Sequence, residues 1–105
     1  AAQMGELLGA GLRALADKHA LIGEVRGMGV FWALELVSNR ASRAKLPAAA
    51  MNTIKAACMA RGLLPFIADN RIHVVPPCNV SAEEVARGLA IYDQVLAEVA
   101  PAYTE

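Results

Sequence analysis

Apolar side chains recur at helical spacing in three separate stretches of this chain, which predicts three amphipathic helices. The first occupies residues 1–18, the second runs from Pro47 to Arg61, and the third runs from Ser81 to Pro101. Their apolar stripes consist of Met4, Leu7, Leu8, Leu12 and Leu15; Met51, Ile54 and Cys58; and Val85, Leu89, Tyr92, Leu96 and Val99. Each helix therefore has one face suited to packing on a neighbouring layer.

Local signals mark the ends of these helices. Pro47 suits a first helical turn, where its missing N–H would have no partner, and Gly62 has the place of a C′ glycine. Ser81 and Glu84 have the spacing of a capping box, and Pro101 is expected to end the last helix.

Three short apolar runs between the helices predict strands. Residues 30–37 are aromatic and β-branched with one charge, the pattern of a largely buried strand. Residues 63–67 form a short run whose proline favours an edge position, and residues 71–75 form another. Residues 68–70 have the composition of a tight turn, so the last two strands are expected to form a hairpin.

The predicted order is helix, strand, helix, strand, strand, helix. This order predicts an α+β fold with a small open sheet of about three strands and helices packed on one face. Residues 23–29, which contain Gly27 and Gly29, are interpreted as a segment leading into the first strand, and residues 38–45 as a polar loop. Residues 1–105 are expected to form a single domain.

Composition and charge exclude several classes of protein. Ten basic and ten acidic residues cancel, and no basic face is present, which argues against a nucleic-acid partner. No apolar run is long enough to span a membrane and no signal peptide is recognisable, so a cytoplasmic location is expected. Cys58 and Cys78 are too few and too far apart for a disulfide framework or a metal site, and their roles stay open.

The hydrophobic content of 56% is high for a chain of this length. It indicates that part of the apolar surface covers a partner, such as a further part of the same polypeptide. The chain starts at Ala1, within the first helical pattern and without an initiator methionine. We therefore expect a piece of a longer protein.

No catalytic centre is expected within the chain itself. A Schiff-base lysine needs a desolvated pocket that lowers its pKa. Lys18 ends a helix, Lys45 lies in a polar loop and Lys55 lies on the polar side of a helix. A glycine-rich phosphate loop and a nucleophile elbow are also missing from the sequence.

Arg71 and His73 are the residues that the pattern singles out. They alternate with Ile72 and Val74, so both side chains are expected to leave the strand on the same face. A guanidinium and an imidazole on one face could together bind a carboxylate. The same pattern also fits the ordinary solvent face of a half-buried strand, so both interpretations stay open.

Three segments resemble the class III (ω- and ornithine-type) aminotransferases. Residues 23–36 (GEVRGMGVFWALEL) resemble a glycine-rich family segment, and residues 60–64 (ARGLL) resemble the segment before the family's last hairpin. Residues 71–81 (RIHVVPPCNVS) resemble its Pro-Pro ending. The resemblance implies the C-terminal small domain of a fold type I enzyme. The large domain, which carries the cofactor site, would be absent from this chain.

The resemblance also implies an activity for the full-length enzyme. That enzyme would use pyridoxal phosphate to move an amino group from an amine or amino acid to a keto acid, and would be a homodimer. This part would close over the active site, help to bind the substrate carboxylate and be inactive alone, without cofactor. Family members with an arginine in the last strand have it three places before the first proline, where this chain has His73, while Arg71 lies two residues earlier. Which of the two contacts the carboxylate stays open, as do the identities of donor and acceptor.

A second interpretation belongs to another class of protein. A strand-helix-strand-strand-helix order approaches the ferredoxin-like plan of ACT-like regulatory modules that bind amino acids. The helix before the first strand and the start within a helical pattern favour the enzyme instead.

Overall fold

The computed structural model describes residues 2–76 and 79–103. Within these two ranges, three helices and five strands follow one another. In chain order they are α1 (Ala2–Lys18), β1 (Ile22–Met28), β2 (Phe31–Asn39), β3 (Ala44–Lys45), α2 (Ala48–Ala60), β4 (Phe66–Ala68), β5 (Arg71–Val74) and α3 (Ala82–Tyr103).

The strands form one antiparallel sheet in the order β1-β2-β5-β4, with β3 pairing to the far end of β2. On the β5 side of β2, the backbone of Leu36 forms hydrogen bonds with the turn before β5 and with the residue that follows β3. Its N–H donates to the carbonyl of Asn70 at 2.8 Å, and its carbonyl accepts from the N–H of Leu46 at 3.1 Å. Because a residue of a strand directs both groups to the same side, β3 lies in line with β5 along the same edge of β2.

The helices cover one face of the sheet, and the core lies between the two layers. From the sheet, Leu34, Leu36 and Ile72 are fully buried there. From the helices, the core takes Leu8, Leu12, Leu15, Ala50, Met51, Ile54, Cys58, Val85, Tyr92, Val95, Leu96 and Val99. The predicted α+β plan, a small open sheet with helices on one face, is confirmed.

The sheet has two strands that the sequence pattern did not indicate. β1 occupies the segment interpreted as a lead-in to the first strand, and β3 lies in the segment interpreted as a loop. β1 pairs with β2 through a tight turn in which Gly29 has a φ of +60°. The strand predicted over residues 63–67 begins later in the structure, where β4 covers residues 66–68. Pro65 has no N–H to donate to a neighbouring strand, so pairing starts after it.

The helix limits agree with the local signals except at two prolines. Ser81 and Glu84 form the predicted capping box, with each backbone N–H donating to the other side chain at 3.1 Å. Gly62, with a φ of +87°, follows the C-cap of α2 as predicted. Pro47 is the N-cap rather than a residue of the first turn, and Pro101 lies inside the last turn of α3. A proline there removes only one backbone hydrogen bond and keeps a helical φ, so the helix continues past it.

Trp32 packs between α1 and the β1–β2 hairpin. Its indole is 7% exposed, and its Nε1–H donates to the carbonyl of Gly29 at 2.7 Å. The Arg13 guanidinium lies 4.9 Å from the ring centroid, and a Cβ added at Gly9 of α1 would lie 2.4 Å from the ring. Trp32 is therefore a packing residue of the core. Within the described ranges, no helix is long and apolar enough to cross a membrane.

Candidate functional site

Arg71 and His73 lie on the face of the sheet that the helices leave open. The residue between them, Ile72, points into the core and is fully buried, whereas Arg71 and His73 are both half-buried. The predicted alternation along this strand is therefore present, and the two side chains share one face.

The antiparallel register identifies the neighbours of these two side chains. On β2, Ala33 lies opposite His73 and Glu35 lies opposite Arg71. On β4, Phe66 lies opposite His73. His73 is thus flanked by a small residue and an exposed aromatic residue, while Arg71 has a carboxylate as its direct cross-strand neighbour.

Four charged side chains form an ion-pair network beside Arg71. Arg26 Nε lies 2.9 Å from Glu24 Oε2, and the Arg26 guanidinium lies 3.7 Å from Glu35 Oε2. The Arg43 guanidinium donates to Glu35 Oε1 at 2.8 Å and lies 3.6 Å from Glu24 Oε1. Both oxygens of Glu35 therefore face arginines other than Arg71.

A second carboxylate close to Arg71 is also paired elsewhere. Asp69, in the turn between β4 and β5, accepts a hydrogen bond from Lys45 Nζ at 2.6 Å. This hydrogen bond lowers the pKa of Asp69, and the positive charge of Arg71 lowers it further. Arg71 thus lies within electrostatic reach of Asp69 without forming the ion pair.

The side chains of Arg71 and His73 form no hydrogen bond and no ion pair with the residues that the structure describes. The Arg40 guanidinium, by contrast, donates to the carbonyls of His19 and Ile22 at 2.9 and 3.1 Å. An unpaired guanidinium beside an imidazole can bind an external anion, and a guanidinium can bind a carboxylate in a bidentate manner.

An apolar cavity of about 260 Å³ adjoins His73. Its lining comes mainly from α3 and from the loops before β4 and after β5, and it includes Leu64, Phe66, Val75 and Leu89. Phe66, which pairs with His73 on the open face, is 64% exposed, so that face has an apolar side chain beside His73 as well as the charge of Arg71.

The lysines of this chain do not fit the attachment of pyridoxal phosphate. Lys18 is 63% exposed and paired with Asp93, Lys45 is 68% exposed and paired with Asp69, and Lys55 is exposed on α2. A Schiff-base lysine needs a desolvated environment, which none of the three has.

The cysteines and possible metal ligands show no reactive grouping in the ranges described. Cys58 is fully buried, and burial raises its pKa to about 11, so it stays a neutral thiol. Cys78 lies outside the described residues. Within residues 2–76 and 79–103, no three His, Cys, Asp or Glu side chains are grouped to hold a metal ion.

Sequence reasoning missed the charged residues that surround Arg71. Arg26 and Glu24 lie in β1, and Arg43 and Lys45 lie at β3, the two strands that the pattern did not indicate. The alternation of Glu24 and Arg26 was the available signal, because charges two residues apart share a face once the segment is a strand.

This chain is similar to proteins of one known family. The family model "Aminotransferase class-III" matches residues 1–96. The hypotaurine/taurine–pyruvate aminotransferase of Paracoccus denitrificans is 43% identical over 104 residues, which cover 91% of this chain and 22% of that protein. Ethanolamine-phosphate phospho-lyase homolog 1 of Caenorhabditis elegans is 37% identical over 98 residues, which cover 90% of this chain and 21% of that protein.

Among solved structures, taurine:2-oxoglutarate aminotransferase from Bifidobacterium kashiwanohense, in complex with PLP and glutamate, matches with a TM-score of 0.90 at 30% identity. The match covers 97% of this chain and 24% of that one. This chain therefore spans less than a quarter of the length of each of these three proteins.

Proposed function

Since this chain belongs to the class-III aminotransferase family, we propose that it is the C-terminal small domain of a pyridoxal-phosphate-dependent aminotransferase. The full-length enzyme moves an amino group from an amine or amino acid to a keto acid, and it acts as a homodimer. A large domain of the same polypeptide holds the cofactor, since the exposed lysines of this chain do not suit that task. The match over residues 1–96 favours this proposal over an ACT-like regulatory module.

In the full-length enzyme, this domain closes over the active site and binds the acidic group of the donor. One observation carries this proposal: the Arg71 guanidinium lies on the open face of the sheet without an ion-pair partner in the described ranges. His73 lies beside it on the same face and adjusts the shape and polarity of the site. We assign the acidic group to Arg71 because its charge is permanent and its planar donors match an anion with several oxygens.

The chemistry of the donor follows from that guanidinium. Two relatives carry taurine in their names, and taurine is an amine with a sulfonate group. A sulfonate and a carboxylate both present oxygens that a guanidinium binds through two parallel hydrogen bonds. We therefore propose a donor that carries a carboxylate or a sulfonate.

Replacing Arg71 in the full-length enzyme tests this proposal. A charged hydrogen-bonded contact contributes about 1.5–3 kcal/mol, so Arg71→Ala should lower kcat/KM for acidic donors roughly tenfold to hundredfold. Amines without an acidic group should be converted as before. Arg87→Ala is the matched control, because Arg87 is exposed on the helical side of the domain.

Two outcomes would change the assignment. If His73→Ala damages only acidic donors while Arg71→Ala leaves them unaffected, His73 binds the acidic group. If neither substitution distinguishes the two kinds of donor, the large domain binds the acidic group and this strand does not.

A further inference from the structure

We propose that Arg43 and Lys45 are positioning residues for donor binding. By binding Glu35 and Asp69, they keep these two carboxylates from pairing with Arg71, whose guanidinium then stays available to the acidic group of the donor. This inference rests on the proposed function of Arg71 and adds the residues that make Arg71 available.

Glu35 is the strongest internal competitor for Arg71. The two residues lie directly opposite each other on β2 and β5, and opposite charges in such a pair attract each other. The Glu35 carboxylate nevertheless accepts a hydrogen bond from Arg43 at 2.8 Å and has Arg26 at 3.7 Å from its other oxygen. The Glu35 side chain is only 22% exposed, so water screens its charge less than that of its neighbours.

Asp69 is the second competitor, two residues before Arg71 along the chain. The hydrogen bond from Lys45 lowers the pKa of Asp69, and the nearby charge of Arg71 lowers it further. The hydrogen bond of 2.6 Å commits the Asp69 carboxylate to Lys45.

Both cations come from one short segment that the sheet holds in place. β3 pairs with the end of β2, in line with β5, which brings Lys45 next to the turn that contains Asp69. Arg43 has a φ of +59°, a left-handed conformation that is unfavourable for a side-chain-bearing residue. Asn39 Oδ1 fixes the preceding turn by accepting from the N–H groups of Ala41 and Ser42 at 2.9 and 3.0 Å.

The charges of this region add up in favour of an external anion. Glu24, Glu35 and Asp69 supply three negative charges, and Arg26, Arg43 and Lys45 supply three positive charges that bind them. Arg71 therefore adds one positive charge that these neighbours do not cancel.

The test uses the full-length enzyme with Arg43→Gln and Lys45→Gln combined. We measure kcat and KM for whichever of taurine and β-alanine is converted faster, and the inhibition constant of ethanesulfonate, which has the anion but no amino group. Glu35 and Asp69 then compete for Arg71, each with the strength of a surface ion pair. KM and the inhibition constant should rise about threefold to tenfold while kcat changes less than twofold.

Rescue separates positioning from a structural role. Adding Glu35→Gln and Asp69→Asn removes the competitors, so KM should return to within about twofold of the starting value. The matched control, Lys18→Gln with Arg61→Gln, removes ion pairs to Asp93 and Glu98 on the helical side and should leave KM unchanged. If the combined variant does not fold, Lys45→Gln alone takes its place. It alters only an exposed side chain and should raise KM by a smaller factor.

The outcomes distinguish this inference from the function on which it rests. If Arg71→Gln raises KM but Arg43→Gln with Lys45→Gln does not, the inference is wrong and the function of Arg71 stands. If KM rises without rescue, or rises equally in the control, the two cations act only on the fold and the inference is wrong. If Arg71→Gln leaves both KM and the inhibition constant unchanged, the proposed function itself fails.

Discussion

Replacing Gly9 by alanine tests the close approach of α1 to the β1–β2 hairpin. A Cβ at position 9 would lie 2.4 Å from Cζ2 and 2.5 Å from Cη2 of Trp32, well inside van der Waals contact. The ring cannot easily move away, because it is buried and its Nε1–H is bonded to the carbonyl of Gly29. We therefore expect Gly9→Ala to push α1 away from the sheet.

The expected magnitude is the difference between two opposing effects. Alanine in a helix is intrinsically more favourable than glycine by about 1 kcal/mol. Overpacking a core against a fixed group costs roughly 1–3 kcal/mol, and a contact this short belongs at the upper end. The free energy of unfolding should therefore fall by about 1–2 kcal/mol.

Gly88 provides the matched control, because it is also a glycine inside a helix, α3. Apart from its own helix backbone and its two chain neighbours, no atom lies within 4 Å of the position that its Cβ would take. Gly88→Ala should therefore gain the helical preference without a clash and raise the free energy of unfolding by roughly 0.5–1 kcal/mol. The two identical substitutions are thus expected to have opposite signs.

Urea unfolding followed by fluorescence measures both variants, because Trp32 is the only tryptophan of the chain. The midpoint should move down for Gly9→Ala and up for Gly88→Ala, with the slope unchanged. If Gly9→Ala stabilises the chain as much as Gly88→Ala does, α1 does not pack on Trp32 as described here.

Two further predictions concern acid stability and association. Hydrogen bonds from Lys18 and His19 lower the pKa of Asp93 in the folded chain. The ionised Asp93 therefore contributes its full stabilisation above the pKa that it has in the unfolded chain. This stabilisation is lost as the pH falls through the lower pKa of the folded chain. Asp93→Asn should flatten the fall of the urea midpoint below about pH 4; an unchanged fall would exclude Asp93 as its source. Phe31 and Phe66, 67% and 64% exposed on the open face, should make the isolated chain associate. Phe31→Ser with Phe66→Ser should shift sedimentation toward the monomer, and an unaltered chain that stays monomeric at high concentration would contradict this.

The parts of the fold that depend on local signals could be predicted from the sequence. The capping box of Ser81 and Glu84 needs only two residues at the right spacing, and the apolar stripes need only a period. β1 could not be predicted in the same way, because its glycines and charges disfavour a strand. It becomes a strand through its pairing with β2, which depends on residues farther along the chain.

The candidate site, too, could be predicted from the sequence only in part. A period of two is sufficient to predict that Arg71 and His73 share a face. It cannot predict that Arg71 has no ion pair among the residues that the structure describes, because this depends on which cations pair with Glu35 and Asp69. Those partners, Arg43 and Lys45, are brought there by the register of β3 on β2.

The alternation along β5 also has a consequence for how such a protein can evolve. Ile72 is fully buried in the core, while Arg71 and His73 are half-buried on the open face of the sheet. If Arg71 and His73 bind the donor as proposed, mutations at these two positions change which donor is accepted without altering the core residue between them. Under that proposal, selection for a new donor acts on positions 71 and 73 while Ile72 between them stays the same.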